Sequence, residues 1–161
     1  MFKAGLVQVG IAIFCTLLYL GALWAARNII DPVQTALLGP AFGILVFFPN
    51  GIKVLVIYAF GWLGFLYLLP VYVWLFTSFD YLNISVPKLI LLSVLSLATP
   101  LVSAAILRWC EVTRPRSHNL VMNGKELLVV GALAALLNAF VLAWGFNHGL
   151  YEIALITLGD F

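Results

Sequence analysis

From Gly5 to Ala26 the chain runs for 22 residues without an Asp, Glu, Lys or Arg. At about 1.5 Å of rise per residue, a helix of that length covers the roughly 30 Å hydrocarbon core of a bilayer. A secretory leader has a shorter apolar region, roughly 7–15 residues, and ends in a small-x-small cleavage site. This run instead closes with Leu23-Trp24-Ala25-Ala26-Arg27. It is expected to be a retained span, closed by the stretch from Asn28 to Pro32. The same apolar character recurs to the end of the chain. Of the 161 residues 65% are apolar and only 9% charged, at a mean hydropathy of +1.15, whereas an average soluble protein carries about 25% charged residues. No water-facing shell can be built from this composition, so lipid must be the solvent. Residues 1–161 are read as a single transmembrane helical domain: an all-α, polytopic integral membrane helical bundle of about five spans.

The next apolar stretch, Val33 to Phe79, is too long for one span. Pro49-Asn50-Gly51 is the expected break, because Pro49 lacks an N–H, Gly51 is conformationally permissive and Asn50 can bond a freed backbone group. This predicts a short second helix, Gln34 to Phe48. At about 15 residues it is a thin span or half of a re-entrant hairpin. A third helix follows from about Val54 to Phe79, with a bend at Gly61-Trp62-Leu63-Gly64 and Pro70. The alternative is one broken helix crossing to about Phe60, with Pro49 to Lys53 buried at mid-depth. Asp80 to Pro87 reads as a polar loop, Leu89 to Cys110 as a fourth helix, Glu111 to Glu126 as a hydrophilic loop and Leu127 to Phe146 as a fifth helix. Residues 150–161 turn apolar again, as at the start of a sixth helix.

Positive charges collect on the cytoplasmic side of a membrane protein. With the N-terminus inside, Lys3, Lys53, Arg108, Arg114, Arg116 and Lys125 face the cytoplasm, and Arg27 and Lys88 face out. Six of eight cations on one side favour an inner-membrane protein with a cytoplasmic N-terminus and a cytoplasmic 111–126 loop. If Lys53 is buried it leaves the tally and the orientation is unchanged. Trp24, Trp74, Trp109 and Trp144 fall near predicted span ends, where an aromatic belt would place them.

Pro49, Asn50, Gly51 and Lys53 form the first candidate ligand site. A broken helix presents unpaired N–H groups and a positive dipole end, and a cation beside it favours an anion. The alternative is a tight turn with Lys53 reaching the headgroups. Asn138, midway along the fifth helix, either lines a cavity with the hydroxyls of Ser93, Ser96 and Thr99 or bonds a neighbouring helix. Small residues at Gly39 and Gly43, Gly61 and Gly64, and Gly131 and Ala135 are candidates for close helix packing.

Much chemistry is excluded on sequence grounds. A net charge of +2 leaves no basic face for nucleic acid. His118 and His148 lie on opposite sides of the predicted membrane, so they cannot share a haem iron. No Cys/His spacing suggests a metal site, no glycine loop suggests phosphate binding, and no base–nucleophile pair falls within one membrane layer. Cys15 and Cys110 lie at different depths and are expected to be free thiols. No cofactor and no enzymatic activity are expected. Asn83-Ile84-Ser85 is a glycosylation triplet that arises readily by chance.

Phe47-Phe48-Pro49-Asn50-Gly51, followed by an apolar run to Gly61, resembles the Pro-x-Gly segment of bacterial membrane-associated sensor (MASE-type) domains. Leu97-Ala98-Thr99-Pro100-Leu101 leading to Leu107-Arg108 is similar to their later helix ending at a basic loop, and Leu158-Gly159-Asp160 to a Gly-Asp that precedes a further helix. The resemblance covers about Ala36 to Asp160. It implies a multi-helix sensory module and gives Pro49, Asn50, Gly51 and Asp160 a ligand-pocket role. The chain departs from the family in carrying two phenylalanines where Trp-Pro is usual, in the added Lys53, and in having no output domain within the 161 residues. It would therefore be either a piece of a longer chain or a helper acting through partner helices.

Two functions follow as expectations. One is a small sensor-like module that binds a ligand or partner protein within the bundle. The other is a structural accessory subunit of a larger membrane complex, respiratory or photosynthetic for example. The expected partners are the lipid bilayer and other transmembrane proteins. A complete transporter would need more buried charge than Lys53.

Overall fold

The computed structural model describes residues 2–38, 48–78, 84–110 and 124–146. These residues are helical without a strand: α1 (Phe2–Ala25), α2 (Asp31–Leu38), α3 (Phe48–Phe60), α4 (Trp62–Thr77), α5 (Val86–Cys110) and α6 (Gly124–Phe146). Three runs are long and apolar enough to cross a bilayer, namely Gly5–Leu37, Val86–Cys110 and Gly124–Phe146, and α3 and α4 are shorter apolar helices. The chain is an all-α membrane bundle, as its composition requires.

The stretch from Asn28 to Pro32 does not close the first helix. A π-turn, Ala26–Ile30, carries it into α2, with the Asp31 N–H donating to the Ala26 carbonyl five residues back. Pro32 has no N–H to offer the Asn28 carbonyl four residues earlier, and a widened turn absorbs that loss without ending the helix. Asn28 Nδ2 also donates to the Trp24 carbonyl at 2.8 Å. Along α1, Cys15, Tyr19, Leu23 and the following Ala26 are buried at spacings of four, four and three residues. They form the one stripe of the helix that faces the bundle. Leu17, Leu18 and Trp24 point outward, where lipid is the expected neighbour.

Pro49-Asn50-Gly51 are helical and belong to α3, so the expected third helix is already under way before Val54; most of the expected second helix, Gln34 to Phe48, lies outside the described residues. The three residues lie in the first described turn of α3, and proline's fixed φ suits a helix. The break comes at Gly61, whose φ of +58° and ψ of −128° cut the expected third helix into α3 and α4. The chain folds back there, and Gly64 of α4 sits against the Val56 carbonyl and Ile57 Cα of α3. A Cβ on Gly64 would lie 2.5 Å from that oxygen. Pro70 is accommodated inside α4 and Pro100 inside α5.

Contacts fix the helix directions. Gln8 meets Tyr67 through the tyrosine hydroxyl and, further along both helices, Tyr19 meets Tyr72 with ring centroids 5.1 Å apart, so α1 and α4 run parallel. Val54 packs with Val130, and Tyr58 donates to Glu126 at 3.1 Å, so α3 and α6 run antiparallel. Ser96 meets Asn138 and Leu92 meets Gly145, which makes α5 and α6 antiparallel as well. The start of α1, the Gly61 corner, the end of α5 and the start of α6 therefore share one face. The shortest of the four bundle-lining segments after α1 is α3, and it touches α1, α4, α5 and α6.

Candidate functional site

One face of α3 packs against the other helices, and the polar side chains of its first two turns lie on that face. Pro49 and Asn50 are buried, and Lys53 has 0% of its surface exposed. The depth of this group can be read from its neighbours. Lys53 Nζ donates to the Ser96 carbonyl at 3.2 Å. Ser96 lies ten residues after the start of α5 and fourteen before its end, which at about 1.5 Å per residue is the middle of a spanning helix. The pairings of Val54 with Val130 and Tyr58 with Glu126 share one antiparallel register. Continued at equal rise, that register sets Asn50 level with Ala134, near the midpoint of α6. The described part of α3 thus runs from the interior of the bundle to the face where α6 begins. The burial of Pro49, Asn50 and Lys53 agrees with a place for Pro49 to Lys53 inside the bundle, whereas a single broken helix crossing to about Phe60 turns on residues 39–47, which lie outside the described residues.

The surroundings of Lys53 come from three helices. Its ammonium lies 5.8 Å from the centre of the Tyr72 ring of α4, within the range of a cation–π contact. Tyr72 packs in turn on Tyr19 and Phe76. On α5, Ser93, Ser96, Thr99 and Ser103 form a buried polar stripe. Most of its hydroxyls turn back onto their own helix: Ser93 Oγ donates to the Ile90 carbonyl, Thr99 Oγ1 to the Ser96 carbonyl and Ser103 Oγ to the Thr99 carbonyl. Ser96 Oγ instead crosses to α6 and donates to Asn138 Oδ1 at 2.5 Å. Of the two roles open to Asn138, the bond to a neighbouring helix is present. A protonated Lys53 makes this interior part of α3 electropositive.

Other singled-out residues are placed as follows. Gly51 is exposed. Gly64 and Ala135 are packed, whereas a Cβ on Gly61 or Gly131 would meet nothing within 4 Å. The tightest approach on α6 is at Gly145, where a Cβ would lie 2.2 Å from Leu92 Cδ2; the small-residue patterns did not single it out. Tyr19 and Tyr72, set among apolar neighbours, and the buried Gln34 were also unmarked in sequence. Pro100 carried a usable signal: a proline four residues after Ser96 frees that carbonyl. Cys15 is buried, Cys110 is exposed, and both are free thiols. Gly39, Gly43, Asn83, Arg114, Arg116, His118, His148, Asp160 and the apolar stretch 150–161 lie outside the described residues. Among the described residues, no group of three or more His, Cys, Asp or Glu could hold a metal ion.

A surface groove of about 270 Å³ opens between α1 and α4, lined by Thr16, Leu17, Leu66, Tyr67 and Pro70 among others. None of the residues around Lys53 lines it. We take the buried polar centre, not this apolar groove, as the candidate site, because only the former brings a charge and hydrogen-bonding groups together. Comparison of the chain with family models, with curated proteins and with solved structures found no match. The resemblance to MASE-type sensor domains therefore stands on its short motifs alone.

Proposed function

We propose that this chain is a small, non-catalytic, sensor-like membrane module that binds a ligand or partner at the interior end of α3. One observation supports the reading: Lys53 is fully buried beside the midpoint of a spanning helix. Ionisable groups at that depth are costly, and they usually mark binding or transport positions. The electropositive end of α3 favours a ligand whose polar part is anionic, a carboxylate or phosphate on an apolar body. The site would use Pro49, Asn50 and Gly51 for backbone approach, Lys53 for charge and Asn138 for hydrogen bonding, with Asp160 added by the MASE-type resemblance. In this reading the protein lies in the inner membrane with its N-terminus and the 111–126 loop cytoplasmic. Lys3, Arg108, Arg114, Arg116 and Lys125 then face inward against Arg27 and Lys88 outside.

Thermal unfolding in dodecyl maltoside, with and without lauryl phosphate, tests this proposal. At about a hundredfold excess over Kd the melting temperature should rise on the order of 5–10 °C, and Lys53→Met should abolish the rise. An equal rise in the variant would remove Lys53 from the site, and no rise in the native chain would remove the anionic ligand. A second reading, an accessory subunit of a larger membrane complex, is supported by the groove between α1 and α4, which is open to a neighbouring helix. Stoichiometric co-purification with a larger complex in mild detergent would favour it over the first.

A further inference from the structure

A helical carbonyl normally accepts from the N–H four residues on, and a proline at that position supplies none. In α5 the residues so related are Ser96 and Pro100, both buried. The Ser96 carbonyl is thereby opened in the middle of a spanning helix, where no water can serve it. Two donors fill the place: Thr99 Oγ1 at 2.9 Å and, from α3, Lys53 Nζ at 3.2 Å. A carbonyl oxygen has two lone pairs and accepts both. Ser96 thus joins three helices, holding α3 through its backbone oxygen and α6 through its hydroxyl on Asn138.

Local hydroxyls are the ordinary remedy for a carbonyl freed by proline in a membrane helix, and Thr99 already supplies one. A lysine is a costly second donor at this depth. The converse is more informative: a lysine carried into the bundle needs an acceptor, and a carbonyl that has lost its N–H partner is more available in mid-span than one that already accepts a helix bond. A broken rung is the better acceptor. The two irregularities, a cation in α3 and a proline in α5, therefore answer each other. We infer that Pro100 is the positioning residue of Lys53: it frees the Ser96 carbonyl that fixes the α3 cation at mid-depth, so the two residues act as one coupled pair. This pairing goes beyond the ligand reading and stands whether or not anything binds at Lys53.

A double-mutant cycle on the full chain tests it, read by SDS titration of the protein in bicelles. Pro100→Ala returns an N–H to the Ser96 carbonyl, and Lys53→Met removes the donor while keeping an apolar stem. With Pro100 present, Lys53→Met should lower the folded-to-unfolded ratio about tenfold, and in the Pro100→Ala background by less than about threefold. The amine itself gives a second readout. In Pro100→Ala, the restored N–H competes with Lys53 for the Ser96 carbonyl, and the amine should react several-fold faster with a membrane-permeant amine reagent, measured at residue 53 by mass spectrometry. A proline that only shaped α5 would leave that rate unchanged. If Lys53→Met alone does not fold, recovery of folded protein in Lys53→Met/Pro100→Ala supports the pair. Equal costs in both backgrounds, an unchanged amine rate, or a double variant that also fails to fold would overturn it.

Discussion

Glycines 64, 131 and 145 share a residue type but not a role. At Gly64 a methyl group would strike backbone, 2.5 Å from the Val56 carbonyl oxygen, and nothing short of separating α3 from α4 relieves it. At Gly145 the obstacle is the side chain of Leu92, which is itself fully buried. At Gly131 there is open space. Gly64→Ala should therefore destabilise the bundle by about 1–3 kcal/mol or more, Gly145→Ala by less and reversibly by Leu92→Ala, and Gly131→Ala hardly at all. SDS titration of the three variants reads this order, and a Gly131→Ala cost equal to that of Gly64→Ala would contradict it. The bond between Ser96 and Asn138 belongs to the same scale. Its coupling, from a Ser96→Ala and Asn138→Leu cycle, should be about 0.6 kcal/mol, as for other interhelical bonds in membranes.

At the scale of elements, Gly61 separates two short helices, and its constraint is backbone alone. A side chain there would meet nothing, yet φ of +58° with ψ of −128° is territory that essentially only glycine enters. Gly61→Ala should cost about 1–3 kcal/mol, read as a lower SDS midpoint, although no atom obstructs the methyl; a neutral substitution would mean that the corner relaxes freely. This element also shows what the sequence could and could not disclose. The helical stretches were legible because each is apolar and bounded by Pro, Gly or polar residues. The sense of a proline was not. Pro49 is compatible with the end of one helix and with the first turn of the next, and the structure shows that it is part of α3. Asn28 to Pro32 misled for a related reason, since a π-turn can absorb a missing N–H that would otherwise stop a helix. Nor could periodicity mark the core. In lipid both faces of a helix are apolar, so Leu17 and Leu18 outside and Leu23 inside look alike in sequence. The polar residues were therefore the better guides. Lys53, Asn138 and the α5 hydroxyls were legible as candidates, but their depth and their pairing through Ser96 were set by the register between α3, α5 and α6.

For the whole molecule, the helix directions place the N-terminus of α1, the Gly61 corner, the end of α5 and the start of α6 on one face, and the two native cysteines can report which side of the membrane that is. Cys110 is exposed at the end of α5 and Cys15 is buried within α1. In sealed right-side-out vesicles a membrane-impermeant maleimide should leave both unlabelled. In inverted vesicles it should label Cys110 alone. Labelling of Cys110 from the outside would reverse the proposed orientation. The order in which the chain is made adds a further consequence. Lys53 and its acceptor on Ser96 are 43 residues apart, and at about 5–20 residues per second the acceptor is synthesised roughly 2–9 s after the lysine. During that interval α5 cannot receive the ammonium, so the bond that ties Lys53 to Ser96 can close only after α5 has been made.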